Sequence, residues 1–492
     1  MKIIKKILLV LPALLLCMSC NDFLDKAPEN SRPEDTVDYT DLTNMYSQVS
    51  GVYGLWRTEG AHWIIWGTTL MRDDDVNVGK TGDQTALDDI DNTYYYDKSF
   101  WGFNEAFSVC YFPIIKYCNS ALEALLKYEV NCKTPQEKAL NLAYQGEVHC
   151  MRAMAYYRLV QLFGAVPILK TNEQTNFRRQ SIEKVYAYAL EDLDFAITNC
   201  EKLRPNQMAH KGAITSYTAQ MVAAKIQLNL GKYDKVKELT DNIIEHGNFE
   251  LYPDFYELFK IPGKLCNESL FEIQATDFGQ GSGDKIDLGA WFSFQGPVNN
   301  TNISGWGFIS PSKEFRTWAK NRGETVRAET TFLMTDATTR SGDYVKAPVA
   351  ANHADCYNGK AYTPLNELTP GRTDYGCNNN ARVLRYADVL LMNVEAKVRL
   401  GQDLGKALTN MNLIRNRAQM PELTAGQLTL ESVLDERRME LSVEWGERFN
   451  DLVRTGKAEA VLGSKGYNAS KQYFPIPTTA ITSAPDLALD PE

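Results

Sequence analysis

Glu436, Glu440, Glu444 and Arg448 recur at intervals of four, which on a helix of 3.6 residues per turn sets them along one face. Such a ladder could hold a metal, but no histidine joins it. A glutamate four residues before an arginine is also the favourable orientation for a helical ion pair, so the spacing reads as charge pairing. Asp73-Asp74-Asp75 is a second acidic group. Its carboxylates could ligate a structural Ca2+, and Asp74 could accept hydrogen bonds from sugar hydroxyls; a capped turn would use the same residues. The histidines are His62, His149, His210, His246 and His353, with no H-E-x-x-H among them. Glu147 and His149 stand two apart, where a bundle di-metal motif needs three. Gly279-Gln280-Gly281-Ser282-Gly283 has the wrong order for a nucleophile elbow and lacks the strand and helix of a dinucleotide site. No catalytic residue and no cofactor is assigned, beyond the Ca2+ that the aspartates could take. A glycosidase would need two carboxylates across a sugar ring, a pairing that sequence spacing does not reveal.

The aromatic residues say more. Trp63, Trp66, Tyr94-Tyr95-Tyr96, Trp291, Phe292, Phe294 and Trp306 fall mostly outside helical periodicity, among Gly, Asn and Asp. Aromatic faces are apolar platforms for the C–H faces of sugars, and neighbouring polar groups can bond the hydroxyls. Core packing is the competing role for each ring. Trp101, Phe107 and Phe112 read as helix packing.

Several helical blocks must position these residues. Thr134-Pro135-Gln136-Glu137 has the N-cap, first-turn proline and N3 glutamate of a capping box. Apolar residues then recur at Tyr144, Val148, Met151, Ala155, Leu159 and Leu162 until Gly164 and Pro167 stop the helix. Further helices are expected at 40–56, 104–128, 181–201, 213–230, 233–246, 382–400, 404–418 and 430–455. Ala224 to Tyr233 and Ala396 to Gly401 share a small residue, a Leu-Gly turn and a following amphipathic helix. That is how a tetratricopeptide-like hairpin looks, and two unrelated helical hairpins would read the same way. Between 253 and 381 the helical period fades into turn-rich stretches, with a strand-like run at Ser269–Ile273. So long an irregular segment is functional or disordered, and its aromatic content argues against disorder.

The N-terminus reads as a secretory signal: Lys2, Lys5 and Lys6, then twelve mostly apolar residues, too few to span a membrane. Cys20 follows Ser19, the small residue that lipoprotein processing needs, whereas Cys17 follows the bulky Leu16. The expectation is a signal peptide at 1–19, acylation of Cys20, a tether at 20–39 and a ligand-binding domain at 40–492, with 253–381 as its loop-rich insertion. Losing residues 1–19 removes three lysines and no acid, so the net charge moves from -10 to -13. That balance argues against nucleic acid and against a polybasic membrane patch. None of the eight cysteines after Cys20 forms C-x-x-C; Cys356 and Cys377 flank a polar loop and are the one pair that invites a disulfide test.

Gly146-Glu147-Val148-His149-Cys150-Met151-Arg152-Ala153, continuing to Leu162-Phe163-Gly164-Ala165-Val166-Pro167, resembles a hallmark of the SusD/RagB nutrient-binding lipoproteins. So do Asn267–Ile273, Arg385–Leu391, the run from Glu436 to Leu452, and Tyr473-Phe474-Pro475-Ile476-Pro477. The resemblance implies a mainly α fold, a single domain on tetratricopeptide-like hairpins whose loops and few short strands carry the ligand face. It implies a lipid-anchored protein of the outer membrane, facing the cell exterior, that binds oligosaccharides without cleaving them. Its implied partner is a SusC-like TonB-dependent transporter. Some branches take peptides instead. By position it points to Tyr94, Tyr95, Tyr96, Trp291, Phe294 and Trp306 as sugar-stacking residues. A surface glycosidase and a protein-binding scaffold remain the alternatives.

Overall fold

A computed structural model describes residues 37–275, 288–298, 305–368 and 378–492, in two units divided between Asn44 and Met45. Cys17 and Cys20, Gly279–Gly283 and Cys377 lie outside the described residues. In the first unit, Asp38 accepts hydrogen bonds from Thr40 and Asp41 from Thr43, and a short 3-10 turn closes at Leu42–Asn44.

The second unit begins with helices α1 (Met45–Thr58), α2 (Trp63–Leu70), α3 (Thr85–Thr93) and the single turn α4 (Trp101–Asn104). A π-helix, Glu105–Tyr111, leads into α5 (Phe112–Glu129). Then come α6 (Pro135–Phe163), α7 (Ile182–Asn199), α8 (Ser216–Asn229) and α9 (Tyr233–His246). The capping box at α6 forms as expected: Glu137 N–H donates to Thr134 Oγ1 at 3.2 Å, and Thr134 N–H to the Glu137 carboxylate at 2.8 Å. Such a cap is worth about 1 kcal/mol. Gly164, at φ 69°, ends the helix.

Beyond the insertion lie α10 (Gly289–Gln295), α11 (Lys313–Arg322), α12 (Val326–Thr331), α13 (Tyr386–Leu400), α14 (Leu404–Arg417), α15 (Leu430–Glu440) and α16 (Glu447–Arg454). Neighbours pack in succession: α5 on α6, α6 on α7, α7 on α8, α8 on α9, α9 on α13, and α13 on α14. Both suspected hairpins form, α8–α9 and α13–α14, each turning at a glycine of positive φ, Gly231 and Gly401. Because α9 packs on α13, the intervening segment is an insertion between consecutive scaffold helices. Strands Ser269–Ile273 and Ala381–Arg385 pair antiparallel at its base. This mostly helical fold, with tetratricopeptide-like hairpins and a few short strands, matches the expectation.

Two helical spans differ from expectation. The block at 382–400 starts as a strand, and its helix begins only at Tyr386. Residues 381–397 are all buried, charged ones included, so no exposed face gives a period that would mark the boundary. The block at 430–455 is two helices separated at 441–446, where Val443 and Gly446 have φ of 52° and 76°. Tertiary cations hold the break: Lys360 Nζ donates to the carbonyls of Glu440 and Ser442, and Arg385 to that of Glu440. They satisfy the carbonyls that a helix C-terminus leaves open.

Candidate functional site

The acidic ladder is structural, as its spacing suggested, but its partners come from elsewhere in the fold. Glu436 meets Arg327 at 2.6 Å and Arg415 at 2.7 Å, and Glu440 meets Arg417 at 2.5 Å and Arg385 at 3.0 Å. Glu444 pairs with Arg385 and Lys360, both at 2.7 Å. The expected Glu444–Arg448 helical pair is replaced, because the chain breaks between them and Arg448 turns to Asp74. Burial would raise the Glu440 carboxyl, but the surrounding guanidinium groups of Arg417, Arg385 and Arg327 hold it down at about 2.

Asp74 is therefore corrected from ligand candidate to anchor. Arg448 and Arg438 both donate to its carboxylate, at 2.8–3.0 Å and 2.9 Å. Arg438 also takes Asp75, while Asp73 Oδ1 accepts the N–H groups of Asp75 and Val76, the capped turn foreseen. His149 is a satisfied core histidine, its Nδ1 2.5 Å from an Asp192 that also takes Arg152.

The aromatic candidates separate sharply. Trp66 is 1% exposed inside α2, with Trp445 and Trp291 against its ring. Helix α2 itself was unforeseen, because seven of its eight residues are buried and no polar face betrays a period. Trp291 packs edge-on to both Trp66 and Phe292. Phe294 is buried against Phe308, and Tyr94 caps α3 with its hydroxyl donating to the Arg72 carbonyl. These four rings are core, with no open face for a sugar to stack on. Tyr96 is half-buried on Phe474 and bonds the Lys471 carbonyl, so it too serves packing. Tyr95 alone of its trio faces outward, 56% exposed.

Trp306 belongs to a cluster that does reach the surface. Trp63, before the buried stretch of α2, lies 5.3 Å from Trp101, 5.1 Å from Phe294 and 5.5 Å from Trp306 between ring centroids. Trp63 and Trp306 stand perpendicular, and Phe294 forms the floor. Trp101 is 44% exposed, correcting its assignment to packing. It sits two residues before the buried Phe103, and on a helix residues two apart face nearly opposite ways. That offset was the signal available in the sequence. Trp306 is placed by the insertion: its N–H donates to the Ser293 carbonyl at 2.5 Å. The backbones of Gly305 and Gly296 approach so closely that a Cβ on Gly305 would stand 2.4 Å from the Gly296 carbonyl carbon. His62 and Glu105 border the same cluster, the imidazole 5.9 Å from the Trp63 ring. Three indoles from three segments thus form a partly open apolar platform with polar groups at its edge.

Comparison with known proteins places this geometry in context. Residues 314–489 match the SusD family, and residues 22–228 match a family described as starch-binding associating with outer membrane. SusD-like protein P2 of Formosa agariphila is 24% identical over 505 residues, covering 94% of both chains. Surface glycan-binding protein A of Bacteroides thetaiotaomicron, solved in complex with laminarihexaose, superposes with a TM-score of 0.75 at 21% identity, over 91% of this chain and 98% of that one. The Bacteroides fluxus surface glycan-binding protein A gives 0.73 at 25% identity, over 89% and 96%. Between them the two family matches take in most of the sequence and support the SusD/RagB family, and the solved structures share this fold along its length.

Proposed function

We propose that this protein captures oligosaccharides at the outer membrane surface, stacking them on Trp63, Trp101 and Trp306, and passes them uncleaved to a SusC-like TonB-dependent transporter. The observation that carries the reading is the partly exposed Trp63–Trp101–Trp306 cluster, built by three separate segments and edged by polar groups. Stacking with a few hydrogen bonds suits a protein that must hold a ligand and then release it. The relatives support a carbohydrate ligand, since two solved neighbours are named surface glycan-binding proteins. Tyr95 is a further exposed ring available to the ligand.

Cys20 carries the lipid anchor in this account. No described helix is long and apolar enough to cross a membrane, so acyl chains on Cys20 would supply the attachment. A glycan array on the mature chain tests the ligand, and reducing-end release on incubation tests cleavage. Binding of glucans or other oligosaccharides without new reducing ends supports capture. Accumulating reducing sugar would make it a hydrolase, and binding of peptides alone would move it to the peptide-taking branch.

A further inference from the structure

We propose that His62, Glu105 and Cys110 form a binding site for a divalent transition-metal ion of the zinc type. One nitrogen, one carboxylate oxygen and one sulfur from these residues lie within 4.8 Å of one another. His62 Nε2 stands 3.6 Å from Glu105 Oε1, and the Cys110 thiol points to the carboxylate of Glu59, outside the trio, at 3.8 Å. Zinc holds such ligands at about 2.0–2.3 Å, so tetrahedral neighbours sit roughly 3.3–3.8 Å apart. The donors therefore need to close by about 1.5 Å at most, within the reach of side-chain rotation. A mixed imidazole, carboxylate and thiolate set selects zinc or cobalt over the hard ions calcium and magnesium, which take oxygen.

The backbone supplies an independent observation. Glu105 and Cys110 are the first and sixth residues of the π-helix. In an α-helix residues five apart point about 140° from each other. The i→i+5 bonding of a π-helix brings them to one side, and such segments recur at functional sites. Here the widened turn aims both side chains at His62, the residue that caps α2. The thiol is fully buried, whereas the His62 and Glu105 side chains are 23% and 25% exposed, leaving an entrance from solvent.

Binding balances simply. The Cys110 thiol, held protonated by burial and by the charges of Glu59 and Glu105, gives its proton to solvent and becomes a thiolate ligand. Coordination through Nε2 keeps the imidazole proton on Nδ1, at the expense of the long 3.4 Å contact from Ile64 N–H. The ion would then join the segments that carry Trp63 and Trp101.

Cobalt(II) added to the full chain in detergent tests the site, because a thiolate–cobalt bond has its own charge-transfer absorption. A saturable single equivalent with that band is expected, displaced by zinc. Cys110→Ser should abolish the band, and Glu105→Gln and His62→Gln should each weaken binding about tenfold or more. Should Cys110→Ser fail to fold, the two more exposed variants decide alone. Absence of saturable binding, a band that survives Cys110→Ser, or unchanged affinity in both other variants would overturn the proposal.

Discussion

Arg448 Nε donates to Asp74 Oδ1 at 2.8 Å, joining residues 374 apart in the sequence. Burial alone would raise the Asp74 carboxyl, but the bonds and charge of Arg448, with Arg438 beside it, keep it below its ordinary range. Asp74→Asn leaves two guanidinium groups facing a neutral amide. We expect a loss of about 2–3 kcal/mol in urea unfolding, somewhat less than for a fully buried pair because the carboxylate is partly exposed. Glycan affinity should stay unchanged in the folded fraction; a fall in affinity at constant stability would return Asp74 to the ligand site.

The tryptophans offer a sharper contrast. Trp101→Ala and Trp306→Ala should weaken oligosaccharide binding roughly tenfold or more each, as aromatic anchors do, while melting temperature barely moves. Trp66→Ala should cost about 3–5 kcal/mol of stability, since its ring fills the core between Trp445 and Trp291. Calorimetric titration beside thermal melting would separate the two groups.

Glu147 predicts a pH dependence. Burial raises its carboxyl from 4.5 to about 8, and the hydrogen bond from Tyr53 lowers it only in part. The folded protein thus keeps a proton that the unfolded chain releases near pH 4.5. The group's contribution is full below that pH and drains away as pH rises through 8. Glu147→Gln, which can still accept from Tyr53, should match the wild type in stability near pH 4 and exceed it at pH 8 and above. Melting curves for both proteins across that range would show whether the gap opens.

Gly446 holds the start of α16 at φ 76°, and a Cβ there would stand 2.4 Å from Thr69 Cγ2. Gly446→Ala combines left-handed strain with a clash and should destabilise by about 2 kcal/mol or more. Chemical denaturation would measure it; an unchanged midpoint would mean that the break between α15 and α16 tolerates repacking.

For the anchor, Cys20→Ala should release the protein from the membrane fraction and end its labelling by fatty acid. Continued labelling would place the lipid elsewhere.

Much of the scaffold was legible because it is encoded locally. The Thr134–Glu137 box, the Gly164 stop and the Leu-Gly turns at 230–231 and 400–401 each rest on contacts within a few residues, so pattern and structure agree. The pairing character of Glu436, Glu440 and Glu444 was also readable, since carboxylates at helical spacing need cations. Which arginines answer them was not: Arg327, Arg385 and Arg417 arrive from distant segments. The same non-local packing decides which faces of the aromatic rings remain open. Tyr94, Tyr95 and Tyr96 are chemically alike and adjacent, yet Tyr94 turns inward at a left-handed cap while Tyr95 faces water. Composition and spacing marked the helical blocks, two Leu-Gly hairpin turns and a supply of aromatic residues in loops, and the family resemblance implied the hairpin fold as a whole. Only the tertiary structure decided that Trp63, Trp101 and Trp306 stay partly open while Trp66 and Trp291 do not, because exposure depends on what the rest of the chain lays over each ring.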